Sequence, residues 1–145
     1  MQGKVDIRDK EVITKTIDDI KLNCEFTLQK DCDKYRPIYY AGAGGDFNPI
    51  HIDPEFGKMV GLGGNILQGL CTFAWVSQIV TDWLEDPGRM KKLRARFRNP
   101  VRPNDTVTIK GRVNAKEGNR VTCELTATNQ DGAEVITNGL AEAEF

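Results

Sequence analysis

Hydrophobic and polar residues alternate in several stretches of the chain, and this two-residue period predicts β-strands with one buried face. The first stretch begins at Asn23, where Cys24, Phe26 and Leu28 share a face. Later stretches carry their apolar residues at positions 93/95/97, 107/109/113, 121/123/125/127 and 141/143/145. Segments 117–119 and 130–132 hold glycine beside Asn or Asp, which predicts hairpin turns. These patterns predict an antiparallel meander, and a further extended segment is expected over 36–41.

A helical period marks the segment from Ile66 to Leu84, where apolar residues fall on nearly every side of the helix. Such a helix is expected to be buried on nearly every side. A short helix is expected over 54–60, because Asp53 is a good N-cap and Gly61 is a natural stop.

One apolar helix and strands with one apolar face pack together if the sheet wraps around the helix. We therefore predict an α+β architecture, an antiparallel sheet around one long central helix. The chain is expected to form one domain over residues 1–145, in which 1–22 are a lead-in segment.

The composition narrows the function classes. With 20 Lys and Arg against 21 Asp and Glu, the net charge is −1, which is not the basic surface of a nucleic-acid-binding protein. No apolar run approaches the ~20 residues of a membrane span, and the N-terminus lacks the apolar core of a secretory signal. The four cysteines form no Cys-x-x-Cys pair, which predicts reduced thiols in a cytoplasmic protein. The single histidine excludes a multi-histidine metal site.

Segment 42–53 has no regular period and is expected to be a loop that concentrates the reactive groups. Asp46 and His51 are five residues apart, with an Asn-Pro step between them. A carboxylate and an imidazole that converge could hold one water molecule and transfer protons near neutral pH. The spacing alone also fits a carboxylate that braces an Asx turn and an ordinary loop histidine.

Gly69 stands near the start of the predicted long helix, where glycine is less favourable than alanine by about 1 kcal/mol. A functional reason would be close approach of a ligand carbonyl to a free N–H at the helix N-terminus, where the helix dipole favours negative charge. The alternative reason is close packing of the helix against the sheet.

Other residues have a plain structural interpretation. Four arginines could bind the phosphates of a carrier group, or could form the solvated face of a strand: Arg94, Arg96, Arg98 and Arg102. Aromatic residues of the long helix are expected in the core: Phe73, Trp75 and Trp83. Cys71 is expected to be a small apolar filler rather than a nucleophile.

The segment Tyr40-Ala-Gly-Ala-Gly-Gly-Asp46-Phe-Asn48-Pro-Ile-His51-Ile-Asp53 closely resembles the signature of the MaoC-like dehydratases, also called (R)-specific enoyl-CoA hydratases. Residues 61–62 followed by 66–70 resemble the family's second segment, which opens its central helix, and residues 97–106 resemble the strand and turn after that helix. The resemblance implies a hot-dog fold. It also implies a homodimer or higher homo-oligomer, in which two sheets pair and acyl-thioester sites lie near the interface. The chain departs from the family at Gly44, where Ser or Thr is common, and at Gln68, where His is common.

The resemblance implies reversible hydration of a trans-2-enoyl-CoA to the (R)-3-hydroxyacyl-CoA. His51 would act as the base, Asp46 would orient it, and the Gly69 N–H would stabilise the enolate oxygen. Asn48 and Gln68 would support the site or bind substrate. No metal or cofactor is expected, and coenzyme A or phosphopantetheine would be the substrate carrier.

Three other functions stay open. One is dehydration of a 3-hydroxyacyl group on a carrier protein. Another is a non-catalytic acyl-binding subunit of a heteromeric dehydratase. The third is a hot-dog thioesterase, although such enzymes usually lack an Asp-to-His loop of this kind.

Overall fold

The computed structural model describes residues 15–145. Its strands are β1 (Glu25–Asp31), β2 (Met90–Phe97), β3 (Thr106–Glu117), β4 (Arg120–Thr128) and β5 (Glu134–Glu144). Its α-helices are α1 (Arg36–Gly44), α2 (Pro49–Ile52), α3 (Pro54–Met59) and α4 (Gly69–Leu84). Most of the predicted lead-in, residues 1–14, lies outside the described residues, and Ile17–Asp19 in its remainder form a 3-10 turn. Within residues 15–145, no helix has the length and apolar character needed to cross a membrane.

The five strands form one antiparallel sheet in the order β1-β3-β4-β5-β2. Its register places Val113 beside Cys123, Cys123 beside Ala141, and Ala141 beside Leu93. These rows of apolar residues face α4, which confirms the alternation predicted for the strands. Both predicted hairpins are present. The first closes between Glu117 and Arg120, and the second lies between β4 and β5.

The predicted long helix is α4, and the sheet packs along one side of it. The side chains on that side are buried: Cys71, Thr72, Trp75, Val76, Ile79, Val80 and Leu84. Burial on nearly every side is wrong for this single chain, because Leu70 is 65% exposed and Ala74 is also exposed. One five-stranded sheet covers only part of a helix's circumference. The helix also begins at Gly69 rather than Ile66, since the Ile66 and Leu67 amides bond to Ile50 and Val101 instead.

Three aromatic residues of α4 were expected in the core: Trp75 belongs to it and Trp83 packs against it, but the prediction is wrong for Phe73, which lies outside it. Trp75 is 7% exposed, and Trp83 stacks on Phe26 with ring centroids 4.6 Å apart. Phe73 is partly buried and meets Phe97 edge to face. These contacts fix α4 against the two edge strands, β1 and β2.

The extended segment expected over 36–41 is wrong, because these residues begin α1. The run Ile38-Tyr39-Tyr40 favours a strand by propensity alone. Burial instead falls on Pro37 and Ala41, which are four residues apart on one helix face. Proline is also compatible with the first helical turn, where its missing N–H has no intrahelical acceptor.

The expectation of a loop over all of 42–53 is also partly wrong. α1 continues to Gly44, and α2 occupies Pro49–Ile52. The irregular part is therefore only the short stretch between these helices. The short helix predicted over 54–60 is confirmed as α3. The carboxylate of Asp53 caps it by accepting from the amides of Glu55 and Phe56, at 2.9 and 3.1 Å.

Candidate active site

The turn between α1 and α2 brings Asp46 and His51 together. Gly45 ends α1 in the left-handed conformation, with φ of 70°. The Asp46 carboxylate accepts from the Asn48 amide at 3.3 Å, and the Asn48 side chain caps α2 by accepting from Ile50 N–H at 3.2 Å. As a result, Asp46 Oδ2 lies 3.5 Å from His51 Nε2. Asp46 therefore braces a turn and faces the histidine at the same time.

The orientation of the His51 ring follows from its other nitrogen. Nδ1 lies 2.8 Å from the carbonyl oxygen of Ile66. A carbonyl only accepts hydrogen bonds, so Nδ1 must carry the proton. In the neutral ring Nε2 is then the free base, and it is the nitrogen that faces Asp46. His51 is 8% exposed, whereas the side chain of Asp46 is 44% exposed.

The separation between Asp46 and His51 lets one donor contact both atoms from the side of the line that joins them. At 3.5 Å the carboxylate oxygen and Nε2 are too far apart for a strong direct hydrogen bond. With a neutral ring, both atoms are also acceptors. A water molecule or a substrate hydroxyl can donate to either of them. The pair is thus arranged to hold a proton donor that both groups contact.

Sequence reasoning missed two groups that hold His51. The Asn65 side chain donates to the His51 carbonyl at 2.9 Å, and the Ile66 carbonyl accepts from the ring. Asn65 stands in a glycine-rich segment just before the helix, and this position was its only signal in the sequence. A backbone carbonyl such as that of Ile66 has no signal at all.

A cavity of about 300 Å³ adjoins His51 and Gly69. Its walls are mostly apolar and include Leu67, Phe97 and Val101. Such a cavity suits the hydrocarbon part of a small ligand, and His51 stands at its edge as a polar group.

Gly69 is the first residue of α4, so its N–H has no intrahelical acceptor. A Cβ atom added at Gly69 would lie 3.4 Å from the Phe97 ring, which is ordinary van der Waals contact. By contrast, Cβ atoms at Gly57 and Gly139 would meet backbone oxygens at 2.1 and 2.5 Å. Helix-to-sheet packing therefore does not require a glycine at position 69. This observation favours the functional reason, the approach of a ligand.

Gln68 touches the backbone of the candidate acid. It is 1% exposed, and its Nε2 donates to the carbonyls of Pro37 at 3.0 Å and Asp46 at 3.4 Å. No described group donates to its buried Oε1. A buried, unpaired acceptor is unfavourable by about 1–3 kcal/mol.

The four arginines divide into two pairs. Arg94 and Arg96 line a polar groove that also includes Glu124 of β4. Arg98 lines the cavity beside His51, and Arg102 donates to the carbonyl of Leu62, which also lines that cavity. Of the four, Arg98 and Arg102 are therefore the two that lie where they could contact a ligand bound in the cavity.

The buried thiols are not arranged for catalysis. Cys71 is 5% exposed, and burial raises the pKa of its thiol, which agrees with the predicted filler role. Burial also raises the pKa of Cys32 and of Cys123, each to about 12. Among residues 15–145, no group of three or more His, Cys, Asp or Glu side chains is placed to hold a metal ion.

Comparison with known proteins gives a consistent family match. A family model described as "MaoC like domain" matches residues 13–134. A Dictyostelium discoideum protein named "Probable enoyl-CoA hydratase 2" is 37% identical over 107 residues, which are 72% of this chain and 35% of that protein. "Peroxisomal multifunctional enzyme type 2" of Mus musculus is 37% identical over 100 residues, 68% of this chain and 13% of that protein. The chain thus spans about a third or less of the length of these relatives.

Two solved structures share the fold. The R-hydratase PhaJ1 of Pseudomonas aeruginosa superposes with a TM-score of 0.82 at 23% identity, covering 90% of this chain and 85% of that one. An (R)-hydratase of A. caviae gives a TM-score of 0.78 at 24% identity, covering 87% and 97%. These likenesses confirm the predicted hot-dog fold, in which the antiparallel sheet packs against the central helix α4.

Proposed function

The chain belongs to the MaoC-like dehydratase family, and from this premise we propose that it reversibly hydrates trans-2-enoyl thioesters to (R)-3-hydroxyacyl thioesters. One observation carries the proposal. The Asp46 carboxylate and the free nitrogen of His51 converge to 3.5 Å, and His51 lines the same cavity as Gly69. The names of the relatives, enoyl-CoA hydratase 2 among them, support hydration of an enoyl-CoA.

The reaction can be written with the groups of this chain. His51 Nε2 takes a proton from water while the water oxygen bonds to C3 of the enoyl group. The electrons of the C2–C3 double bond move toward the thioester, whose oxygen becomes an enolate. The Gly69 N–H donates to that oxygen, at a helix N-terminus that favours negative charge. A proton then returns from the His51–Asp46 pair to C2, which completes the addition of one water.

The roles of the two groups follow from their surroundings. His51 is proposed as the base because its Nδ1 is committed to the Ile66 carbonyl, so that Nε2 stays free. Asp46 is proposed to orient the same water and to relay a proton, since its carboxylate faces Nε2 and is partly exposed. Asn48 supports both by holding the turn between them.

The proposed substrate is an acyl group carried by coenzyme A or phosphopantetheine. The apolar cavity of about 300 Å³ would take the acyl chain, and Arg98 stands where a phosphate of the carrier could be bound. Every step uses groups of the chain, so the proposal includes no further cofactor. The proposed location of the protein is the cytoplasm.

We also propose that the chain works as a homodimer or a higher homo-oligomer. Strand β2 lies at an edge of the sheet, so one side of its backbone is open to another strand. Two large apolar side chains are exposed nearby, Leu70 at 65% and Phe97 at 50%. Pairing of two β2 strands would cover them beside the cavity, which Phe97 also lines.

The test is a hydration assay on the purified chain with crotonyl-CoA as the substrate. The reaction is monitored through the loss of enoyl absorbance. Asp46→Asn and His51→Ala are each expected to lower kcat by about 100- to 10,000-fold, which leaves a measurable residual rate, while circular dichroism shows an intact fold. Asp82→Asn, an exposed change on α4, is the matched control and should keep full activity. Near-full turnover by both site variants would contradict the proposed pair.

The same assay separates the alternatives when free thiol is measured alongside enoyl absorbance and when the crotonyl group is offered on both carriers. A thioesterase would release free thiol from the substrate without hydrating it. A non-catalytic subunit would show no turnover as a single purified chain. A carrier-protein dehydratase would prefer the crotonyl group on acyl carrier protein over coenzyme A.

A further inference from the structure

Residues 66–69, at the start of α4, contact both proton-transfer residues of the proposed site. The Ile66 carbonyl accepts from the His51 ring at 2.8 Å, and the Leu67 amide donates to Val101 at 2.8 Å. Gln68 reaches back to α1 and to Asp46, and Gly69 lines the cavity. This short segment therefore contacts the base and the acid, and it contains the proposed oxyanion donor.

The orientation of the Gln68 amide is set by its neighbours. Both contacts of Nε2 are carbonyl oxygens, of Pro37 at 3.0 Å and of Asp46 at 3.4 Å. Turning the amide over would place Oε1 against these two acceptors. Oε1 therefore faces the other way, where it is buried and no described group donates to it. The Gln68 side chain thus makes two hydrogen bonds through Nε2 and leaves Oε1 without a donor, which is unfavourable.

An apolar side chain of similar volume would avoid that unpaired oxygen. Gln68 also makes no side-chain cap to its own helix. Its amide is therefore poorly explained as a contribution to stability. What the amide does provide is a link between the start of α4 and the backbone of Asp46.

Asp46 needs such a link more than His51 does. His51 is held on two sides, by the Ile66 carbonyl and by Asn65. The Asp46 carboxylate is 44% exposed, and its other contact is the local turn bond from Asn48 at 3.3 Å.

We propose that Gln68 is a positioning residue, which holds the backbone of Asp46 to α4 and so sets the distance between its carboxylate and His51. The inference rests on the function proposed above. Gln68 touches neither substrate nor water in this account. It acts through the placement of Asp46.

Gln68→Met keeps the volume and removes both hydrogen bonds. We expect kcat for crotonyl-CoA to fall by about tenfold or more, because small displacements of catalytic groups lower rates strongly. KM should stay within about twofold, since the acyl cavity is unchanged. The melting temperature should stay the same or rise, because the unpaired oxygen is gone.

The matched control is Gln130→Met. The Gln130 side chain, in the turn between β4 and β5, donates to Asp105 at 2.9 Å and accepts from the Thr106 amide at 3.0 Å at the start of β3. Losing these bonds should lower the melting temperature and leave kcat unchanged. A stabilising role and a positioning role thus give opposite patterns.

Gln68→Glu adds a test by pH. A glutamic acid can donate to the Pro37 carbonyl only while it is protonated. Its activity relative to the natural protein should therefore rise as the pH falls. A constant ratio at all pH values would contradict a donor role for this side chain.

A spectroscopic readout does not depend on activity. His51 is the single histidine of the chain, so its Hε1 ring proton gives one identifiable NMR signal. That signal should shift in Gln68→Met in the same direction as in Asp46→Asn, because the carboxylate has moved away from Nε2 in both. An unchanged signal with kcat within about twofold would overturn the inference. Absence of hydration by the natural protein would instead overturn the proposed function.

Discussion

Replacing Gly69 with alanine adds one methyl group at the point where α4 meets the cavity. The new Cβ would lie 3.4 Å from the Phe97 ring, so no backbone atom has to move. Alanine is favoured over glycine in a helix by about 0.5–1 kcal/mol. We therefore expect the free energy of unfolding to rise by up to about 1 kcal/mol, and the melting temperature to rise by up to about 4 °C.

The activity of Gly69→Ala should change in the opposite direction. Gly69 and Phe97 both line the cavity of about 300 Å³, so the methyl group occupies space that the thioester needs to reach the Gly69 N–H. A displacement of about 1 Å at a reacting group can lower the rate by about 100-fold. We expect kcat for crotonyl-CoA to fall by about 10- to 100-fold, measured by loss of enoyl absorbance.

Gly139→Ala is the control for this substitution. Its Cβ would lie 2.5 Å from the Leu125 carbonyl oxygen, so packing requires glycine there. Overpacking of this kind lowers stability by about 1–3 kcal/mol, and kcat of the folded protein should be unchanged. If Gly69→Ala kept kcat within about twofold, a ligand would not approach this amide and the reasoning would be refuted.

Three further predictions concern the core, the thiols and the carrier. Leu125→Ala changes a side chain with 0% exposure and should lower the free energy of unfolding by about 2–5 kcal/mol, measured by urea denaturation. A loss below about 1 kcal/mol would contradict the packing described. Iodoacetamide at neutral pH should modify exposed Cys24 and spare Cys32 and Cys123, whose pKa values burial raises to about 12, as mass spectrometry would show. Arg98→Ala should raise KM for crotonyl-CoA. It should leave KM unchanged for the crotonyl thioester of N-acetylcysteamine, because this substrate has no phosphate, and equal KM changes for the two substrates would argue against phosphate binding.

The strands could be predicted from the sequence because one buried face and one solvated face impose a two-residue period. Cys123 and Leu125, for example, alternate with Glu124 on β4 and are buried as expected. The same reasoning failed for α1, where strand propensity at Tyr39 and Tyr40 pointed away from the helix. What decides the helix is burial of Pro37 and Ala41 on one face, which depends on tertiary contacts.

Helical periodicity also cannot tell what covers an apolar side chain. Leu70 fits the apolar pattern of α4 as well as Val76 does, yet Leu70 is 65% exposed and Val76 is fully buried. The sheet of the same chain covers Val76 and leaves Leu70 exposed. An apolar residue in such a pattern therefore predicts that its side chain is buried. The pattern does not show whether the residues that bury it belong to the same chain.

The candidate site was partly predictable for a similar reason. Asp46 and His51 are close in sequence, so a short turn brings them together and the motif is visible. The groups that orient His51, the Ile66 carbonyl and the Asn65 side chain, come from a segment 14 to 15 residues away. The contact between Gln68 and Pro37 spans 31 residues and depends on α1 being a helix. Such contacts follow from the fold rather than from a local pattern.

The most direct test of the account is a double-mutant cycle on Asp46 and His51. The two groups are proposed to act on one water molecule, so removing either one should disable the unit. We predict that kcat of Asp46→Asn/His51→Ala equals that of the more damaged single variant, within about threefold. If the two losses multiplied instead, the groups would act independently, and the claim that they share one water would be contradicted.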